Sequence, residues 1–366
     1  MKIERVIISG GGTGGHIFPA LAIANEIGKR NPDAKILFVG ALGRMEMEKV
    51  PAAGYQIIGL PVMGFPRKPG LKMFTFFVRL IKSASMARKI VKDFKPQVAI
   101  GVGGYASGPL LRAASAKGIP TLIQEQNSYA GITNKLLSKK VNTICVAYDR
   151  MERYFPSDKI TITGNPVREN LLRSKSNKKE ALEFFGLTEN DKVILVVGGS
   201  LGARSINNTV LNSVKEIGES GVQVIWQTGA IYYNRIQKEL EEARPENLQI
   251  HQFISRMDLA YSVAGVVISR AGAGTISELC LVGKPSVLVP SPNVAEDHQT
   301  KNAMALVEKD AALMIKDDEI KGRLIREAVQ LINDEKKCKV LSEKIQKLAK
   351  PDATNDIVDE VEKILH

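Results

Sequence analysis

Four times along this chain a short apolar run opens straight into a glycine-rich turn and then into a helical segment. The runs are Val6 to Ser9, Val98 to Val102, Val193 to Val197 and Val266 to Ile268. The turns that follow them read GGGTGGH, GGYASGP, GGSLGAR and SRAGAGT. An apolar run without polar alternation is a strand covered on both faces, and such strands belong to parallel sheets with helices packed above and below. Regular alternation of these strands with helical segments argues for doubly wound α/β architecture, and the restart of the pattern at Val193 argues for two such domains. At 366 residues the chain is long enough to build two cores.

The stretch from Val266 to Gln299 says most about ligands. A helix starting near Thr275, directly after a glycine turn, presents unpaired N–H groups and the positive end of its dipole, a seat for phosphate. Glu278 falls one turn into that helix. A second apolar run, Ser286 to Val289, ends in Pro290 and leads to Glu296-Asp297-His298-Gln299. Two consecutive strand ends thus bring polar side chains to one crevice, where open α/β sheets bind ligands.

Several chemistries are disfavoured. Gly10, Gly12 and Gly15 fit the G-x-G-x-x-G spacing of dinucleotide folds, but that fingerprint also needs an acid at the end of the second strand. Here Ile36 to Val39 ends in GALGR, and Val222 to Gln227 ends in TGA. The pairs Gly28-Lys29 and Gly283-Lys284 are followed by Arg30 and Pro285, so neither is a P-loop. Neither H-E-x-x-H nor D-x-D is present. Cys145, Cys280 and Cys338 lie in separate segments without zinc-ligand spacing and suit buried thiols in a reducing cytoplasm. No apolar run approaches the ~20 residues that cross a bilayer, and Met1-Lys2 runs straight into a strand with no signal-peptide pattern.

The net charge of +12 is unevenly placed: residues 1–165 carry +14 and residues 166–366 carry −2. One domain therefore meets an anionic surface or partner. Between Lys49 and Lys92 there are nine Lys or Arg and no acid. Within it, Phe74, Phe77, Val78 and Ile81 fall at helical spacing and are expected to face the core. Phe65, Leu71, Met73, Phe76 and Leu80 then remain, interleaved with Arg67, Lys68, Lys72, Arg79 and Lys82. These are expected to face a membrane surface as a peripheral anchor or, alternatively, to form a subunit interface.

Taken in order from Gly10 to Ala303, the motifs GGGTGGHIFPALA, GVGGYASGP, QEQNSYAG, TGNPVR, GGSLGA, RAGAGTISE and EDHQTKNA resemble the MurG family, the peptidoglycan N-acetylglucosaminyltransferases. The resemblance implies a GT-B fold, two Rossmann-like doubly wound parallel-sheet domains facing across a cleft. The domains would be residues 1–165, facing acceptor and membrane, and residues 166–350, binding the donor. A helix at about 351–366 would pack back on the first. It also implies inverting transfer of N-acetylglucosamine from UDP-N-acetylglucosamine to the muramyl sugar of undecaprenyl-linked lipid I, giving lipid II. No cofactor or tightly bound metal is implied. The place of action would be the cytoplasmic face of the bacterial inner membrane, with its anionic surface as a partner and no nucleic acid.

Carried over by motif, donor contacts fall at Thr13, Gly14, Gly15, Asn127, Arg168, Ser200, Ile254, Ala273, Gly274, Thr275, Ile276, Ser277, Glu278 and Gln299. Glu278 suits ribose hydroxyls, Gln299 the sugar, and Ile254 is either a core residue or a backbone amide that reads uracil. Asn127 and Arg168 either contact the donor or stabilise their turns. His16 is expected to take the proton from the acceptor hydroxyl or, alternatively, to cap its helix or bond the diphosphate. Glu125 is the second candidate base. A UDP-sugar 2-epimerase shares twin glycine-loop domains but has no use for the basic apolar segment. A nucleic-acid binder would explain the charge but not Glu278 and Gln299.

Overall fold

The computed structural model of the protein describes residues 2–64, 70–168, 171 and 178–365. The chain forms two compact units, Met1–Val167 with Asp352–His366, and Arg168–Pro351. Unit 1 alternates strand and helix: β1 (Arg5–Ser9), α1 (Gly14–Arg30), β2 (Lys35–Ala41), α2 (Glu46–Ala52), β3 (Gln56–Leu60), α3 (Leu71–Phe94) and β4 (Val98–Gly101). It continues with α4 (Ser107–Ser115), β5 (Thr121–Glu125), α5 (Ile132–Leu137), β6 (Thr143–Val146) and β7 (Ile160–Ile162). Unit 2 holds α6 (Lys178–Phe185), β8 (Val193–Val197), α7 (Arg204–Asn212), α8 (Val214–Glu219), β9 (Gln223–Gln227), α9 (Ala230–Glu239) and β10 (Leu248–His251). Then come α10 (Met257–Val263), β11 (Val266–Ser269), α11 (Ala273–Val282), β12 (Ser286–Leu288), α12 (His298–Val307), β13 (Leu313–Met314), α13 (Leu324–Asn333) and α14 (Glu335–Gln346).

Both sheets are parallel, in the order β3-β2-β1-β4-β5-β6-β7 and β10-β9-β8-β11-β12-β13. The runs that seeded the sequence argument are covered on both faces: Val6, Ile7 and Ile8 of β1 and Ile194, Leu195 and Val196 of β8 are fully buried. In each sheet the winding reverses beside the unit's first strand, between β1 and β4 and between β8 and β11. Those reversals place pairs of glycine loops together at the carboxyl ends of the strands, the position where doubly wound sheets take their ligands.

The last helix, α15 (Ala353–Lys363), belongs to unit 1. Its Ile357, Val358 and Val361 are fully buried in one cluster with Ala20, Ile23 and Ile27 of α1. Arg30 of α1 reaches Asp359 and Glu362 on it.

Helix α3 departs from the sequence expectation. Phe74 and Ile81 are 73% and 69% exposed, and Phe77 and Val78 are exposed with them, while Met73 and Phe76 are half-buried. The period was right and the face was wrong. The packed face is set by the helix's second half, where Ser83, Ala87 and Ile90 are buried beside α4. Continued backwards at helical spacing, that stripe passes through Leu80, Phe76 and Met73. The larger set at 74, 77, 78 and 81 is left outside, so the apolar excess is real but borne by other residues. Leu80, Arg79 and Lys82 are exposed. Phe65, Arg67 and Lys68 lie outside the described residues, as do the side chains of Leu71 and Lys72.

Candidate active site

In unit 2 the loop after β8 leaves Ser200 exposed, beside the loop that opens α11. Helix α11 starts at Ala273, with Gly272 as its N-cap, two residues earlier than the sequence suggests. The N–H groups of Ala273, Gly274 and Thr275 therefore lie in its first turn, before any i−4 carbonyl of the helix can take them, under the positive end of the dipole. Ile276 is different. Its side chain is 2% exposed and its N–H closes the first helical bond, to Gly272 O at 3.0 Å, so it serves the core and the helix. Ser277 donates its hydroxyl back to Ala273 O at 3.0 Å. The side chain of Ile254 is buried, and its N–H donates to Gln227 Oε1 at 2.9 Å. Gln299, in the first turn of α12, accepts from Ser291 N–H at 2.9 Å.

Glu278 is held from two sides. The Tyr261 hydroxyl donates to Oε2 at 3.1 Å, and Arg168 Nε lies 3.3 Å from Oε1. Burial pushes the Glu278 carboxyl up, and the Arg168 guanidinium and Tyr261 hydroxyl partly counter this. Tyr261, itself buried, was missed by sequence reasoning; nothing in AYSVAG marks it until α10 is laid against α11. A second missed group is Arg270. Its guanidinium donates to Val289 O and Pro290 O at 3.1 Å each, to Ser205 Oγ at 2.7 Å, and pairs with Asp317. Asp317 in turn accepts from Ser205 Oγ at 2.6 Å. One cation thus ties together the ends of β11 and β12, the start of α7 and the segment after β13.

In unit 1, Thr13 is the N-cap of α1, and Gly14 and Gly15 form the helix's first residues. His16 Nδ1 lies 3.1 Å from Gly11 O and 3.3 Å from Thr13 Oγ1. A carbonyl oxygen only accepts, so the imidazole hydrogen is on Nδ1 and the lone pair is on Nε2. The ring packs against Gly103, where a Cβ would fall 2.7 Å from Cδ2 and 2.8 Å from Nε2, and the backbone there has φ of +95°. Only glycine gives His16 that room. The acid that the dinucleotide fingerprint lacks at the end of β2 arrives from α2 instead. Glu46, fully buried, accepts from Gly12 N–H and Ala41 N–H at 2.9 Å each. An internal carboxylate thus occupies the Gly12 amide that a nucleotide phosphate would want, whereas among the described residues no carboxylate is seen to fill the turn before α11 in that way.

Glu125, the second candidate base, is enclosed within the loop that follows β5. It is 2% exposed, and its oxygens accept from Asn127 N–H, Asn127 Nδ2, Gly131 N–H and Asn134 Nδ2 at 3.1, 3.4, 3.0 and 2.8 Å. Burial pushes its carboxyl up, partly offset by those bonds. It braces the loop from Asn127 to Asn134, and Asn127 takes its place through it. Among the described residues no group of three or more His, Cys, Asp or Glu is placed to hold a metal ion, and no helix is long and apolar enough to cross a membrane.

With this geometry in hand, comparisons with known proteins converge. Residues 6–146 match the model of the glycosyltransferase family 28 N-terminal domain, and residues 193–358 that of the family 28 C-terminal domain. A protein of Parabacteroides distasonis, named UDP-N-acetylglucosamine--N-acetylmuramyl-(pentapeptide) pyrophosphoryl-undecaprenol N-acetylglucosamine transferase, is 59% identical over 365 residues, covering 100% of this chain and 99% of its own length. A protein of the same name from Bacteroides thetaiotaomicron is 58% identical, covering 99% and 98%. The crystal structure of Acinetobacter baumannii MurG is similar at a TM-score of 0.81 and 29% identity, covering 98% of this chain and 99% of that one. A UDP-GlcNAc 2-epimerase from Neisseria meningitidis shares the fold at a TM-score of 0.67 and 18% identity, covering 99% and 100%.

Proposed function

The chain belongs to glycosyltransferase family 28, and from that premise we propose how its residues divide the work of moving a sugar. It is a GT-B enzyme that transfers N-acetylglucosamine from UDP-N-acetylglucosamine to the muramyl-pentapeptide of undecaprenyl-linked lipid I, a step of peptidoglycan synthesis. The donor nucleotide rests mainly on unit 2. The observation that carries this is the held carboxylate of Glu278, one turn behind an α11 N-terminus whose first N–H groups can take a diphosphate. Glu278 accepts from the ribose hydroxyls; Ala273, Gly274, Thr275 and Ser200 bond the diphosphate; Arg168 and Gln299 complete the set. Thr13, Gly14, Gly15 and Asn127 are the donor contacts of unit 1.

The acceptor hydroxyl oxygen attacks the anomeric carbon, its proton passes to His16 Nε2, and the bond from that carbon to the diphosphate breaks with UDP taking the electron pair. The configuration inverts. Incubation with UDP-N-acetylglucosamine, with and without a lipid I analogue, tests the activity. Transfer that requires the analogue is the expected result, and release or isomerisation of the sugar without it would overturn the assignment in favour of an epimerase.

Glu278→Ala should weaken UDP binding by about 1.5–3 kcal/mol, the usual worth of a hydrogen bond to a charged group. Calorimetric titration reads this directly, and wild-type affinity would remove Glu278 from the site. Because burial raises its carboxyl, UDP affinity should also fall as pH drops toward the raised titration.

Unit 1 docks on the anionic inner face of the cytoplasmic membrane, where a polyprenyl-linked acceptor resides. The support is the stripe of Phe74, Phe77, Val78 and Ile81 on α3, exposed beside Arg79 and Lys82. Each basic residue near an anionic leaflet contributes about 1 kcal/mol, and the apolar groups add to it. Co-sedimentation with phosphatidylglycerol vesicles should fall for an Arg79→Glu, Lys82→Glu variant and for a Phe74→Ser, Ile81→Ser variant. Binding by both equal to wild type would rule this face out.

A further inference from the structure

The geometry points to Gln227 as a positioning residue for the donor, its side-chain amide holding the phosphate loop and the neighbouring 252–256 loop of unit 2 in one arrangement. The inference rests on the reading of unit 2 as the donor site. Gln227 is the last residue of β9, paired with Val197 of β8 on one side and His251 of β10 on the other, and it is 3% exposed. Its Nε2 donates to Gly199 O at 3.1 Å, and its Oε1 accepts from Ile254 N–H at 2.9 Å. Gly199 O also takes Gly202 N–H at 3.0 Å, which closes the turn that carries Ser200.

The consequence follows from peptide geometry. In a trans peptide the C=O and the following N–H point in opposite directions. Drawing Gly199 O inward onto Gln227 therefore turns the Ser200 N–H outward, where an anion can accept it. A side chain placed here must donate on one arm and accept on the other, which an amide does and a carboxylate does not.

Gln227→Glu separates this role from simple packing. Ionised, the new carboxylate cannot donate to Gly199 O and repels it; protonated, it can donate again. Burial raises the titration of such a group, so the two forms should be reached at pH about 8 and about 5.5. UDP affinity, measured calorimetrically against wild type at each pH, should be about ten- to a hundredfold weaker at the higher pH, the usual cost of an unsatisfied buried polar group, and should recover most of the gap at the lower. Wild-type affinity at both pH values, or an equal deficit at both, overturns the proposal. Should Gln227→Glu not fold, Gln227→Met decides: a loss of tenfold or more supports it, and unchanged UDP affinity overturns it. Glu278→Ala is measured alongside. If it binds UDP as wild type does, the donor-site reading itself fails; if it loses UDP while the Gln227 variants do not, only the role of Gln227 fails.

Discussion

Replacing His16 with alanine is expected to lower kcat by about 10²–10⁴-fold, the usual worth of a general base, while leaving most of the affinity for UDP. The geometry behind this is specific. Gly11 O fixes the hydrogen on Nδ1, so the imidazole presents its basic nitrogen at Nε2, and Gly103 leaves the ring space in which to stand. A histidine is also the side chain whose ordinary titration suits proton removal near neutral pH. Steady-state kinetics with saturating donor and a lipid I analogue reads the effect. Glu125→Gln is the informative companion, since a carboxylate that braces a loop should cost stability and leave most of kcat. If His16→Ala turns over at nearly the wild-type rate, the acceptor proton leaves by another route.

Arg270→Ala is expected to destabilise unit 2 toward the lower end of about 3–5 kcal/mol, the range for removing one partner of a buried ion pair. The lower end applies because the Arg270 and Asp317 side chains keep 14% and 20% of their exposure. The loss has three parts: Asp317 loses its counter-charge, two carbonyls at the end of β12 lose their donor, and Ser205 keeps only Asp317 of its two partners. The chain's single tryptophan, Trp226, is fully buried in unit 2, so its fluorescence in a urea titration reports on that unit. Arg270→Lys should recover little, because a point charge on a flexible stem cannot reproduce the fork that reaches four partners. An unshifted midpoint for Arg270→Ala would show that the strand ends hold together without it.

Most of the strands and both glycine-loop pairs were legible in the sequence because each rests on local periodicity and turn chemistry, whereas β3 and the two-residue β13 were not. What was not legible depended on which neighbour a residue meets. The apolar spacing on α3 was visible, but its buried face is set by Ser83 and Ala87 against α4, and no local pattern ranks that stripe above the bulkier one at Phe74 and Ile81. The end of β2 carries no acid; Glu46 fills the loop from the next helix, five residues on. The bonds of the Ile254 and Ile276 amides, to Gln227 and within the first turn of α11, were not legible either. Gln227, Tyr261 and Arg270 carry no motif at all and become intelligible only once the strands are placed side by side.

The central claim is that the donor nucleotide is held chiefly by unit 2. Amide hydrogen exchange with and without saturating UDP tests it most directly, because the groups invoked are largely backbone N–H. The account predicts that added protection concentrates at residues 198–203 and at Ala273 to Glu278, with a smaller gain at Gly10 to His16. Protection confined to the Gly10–His16 loop, with the start of α11 unchanged, would contradict it.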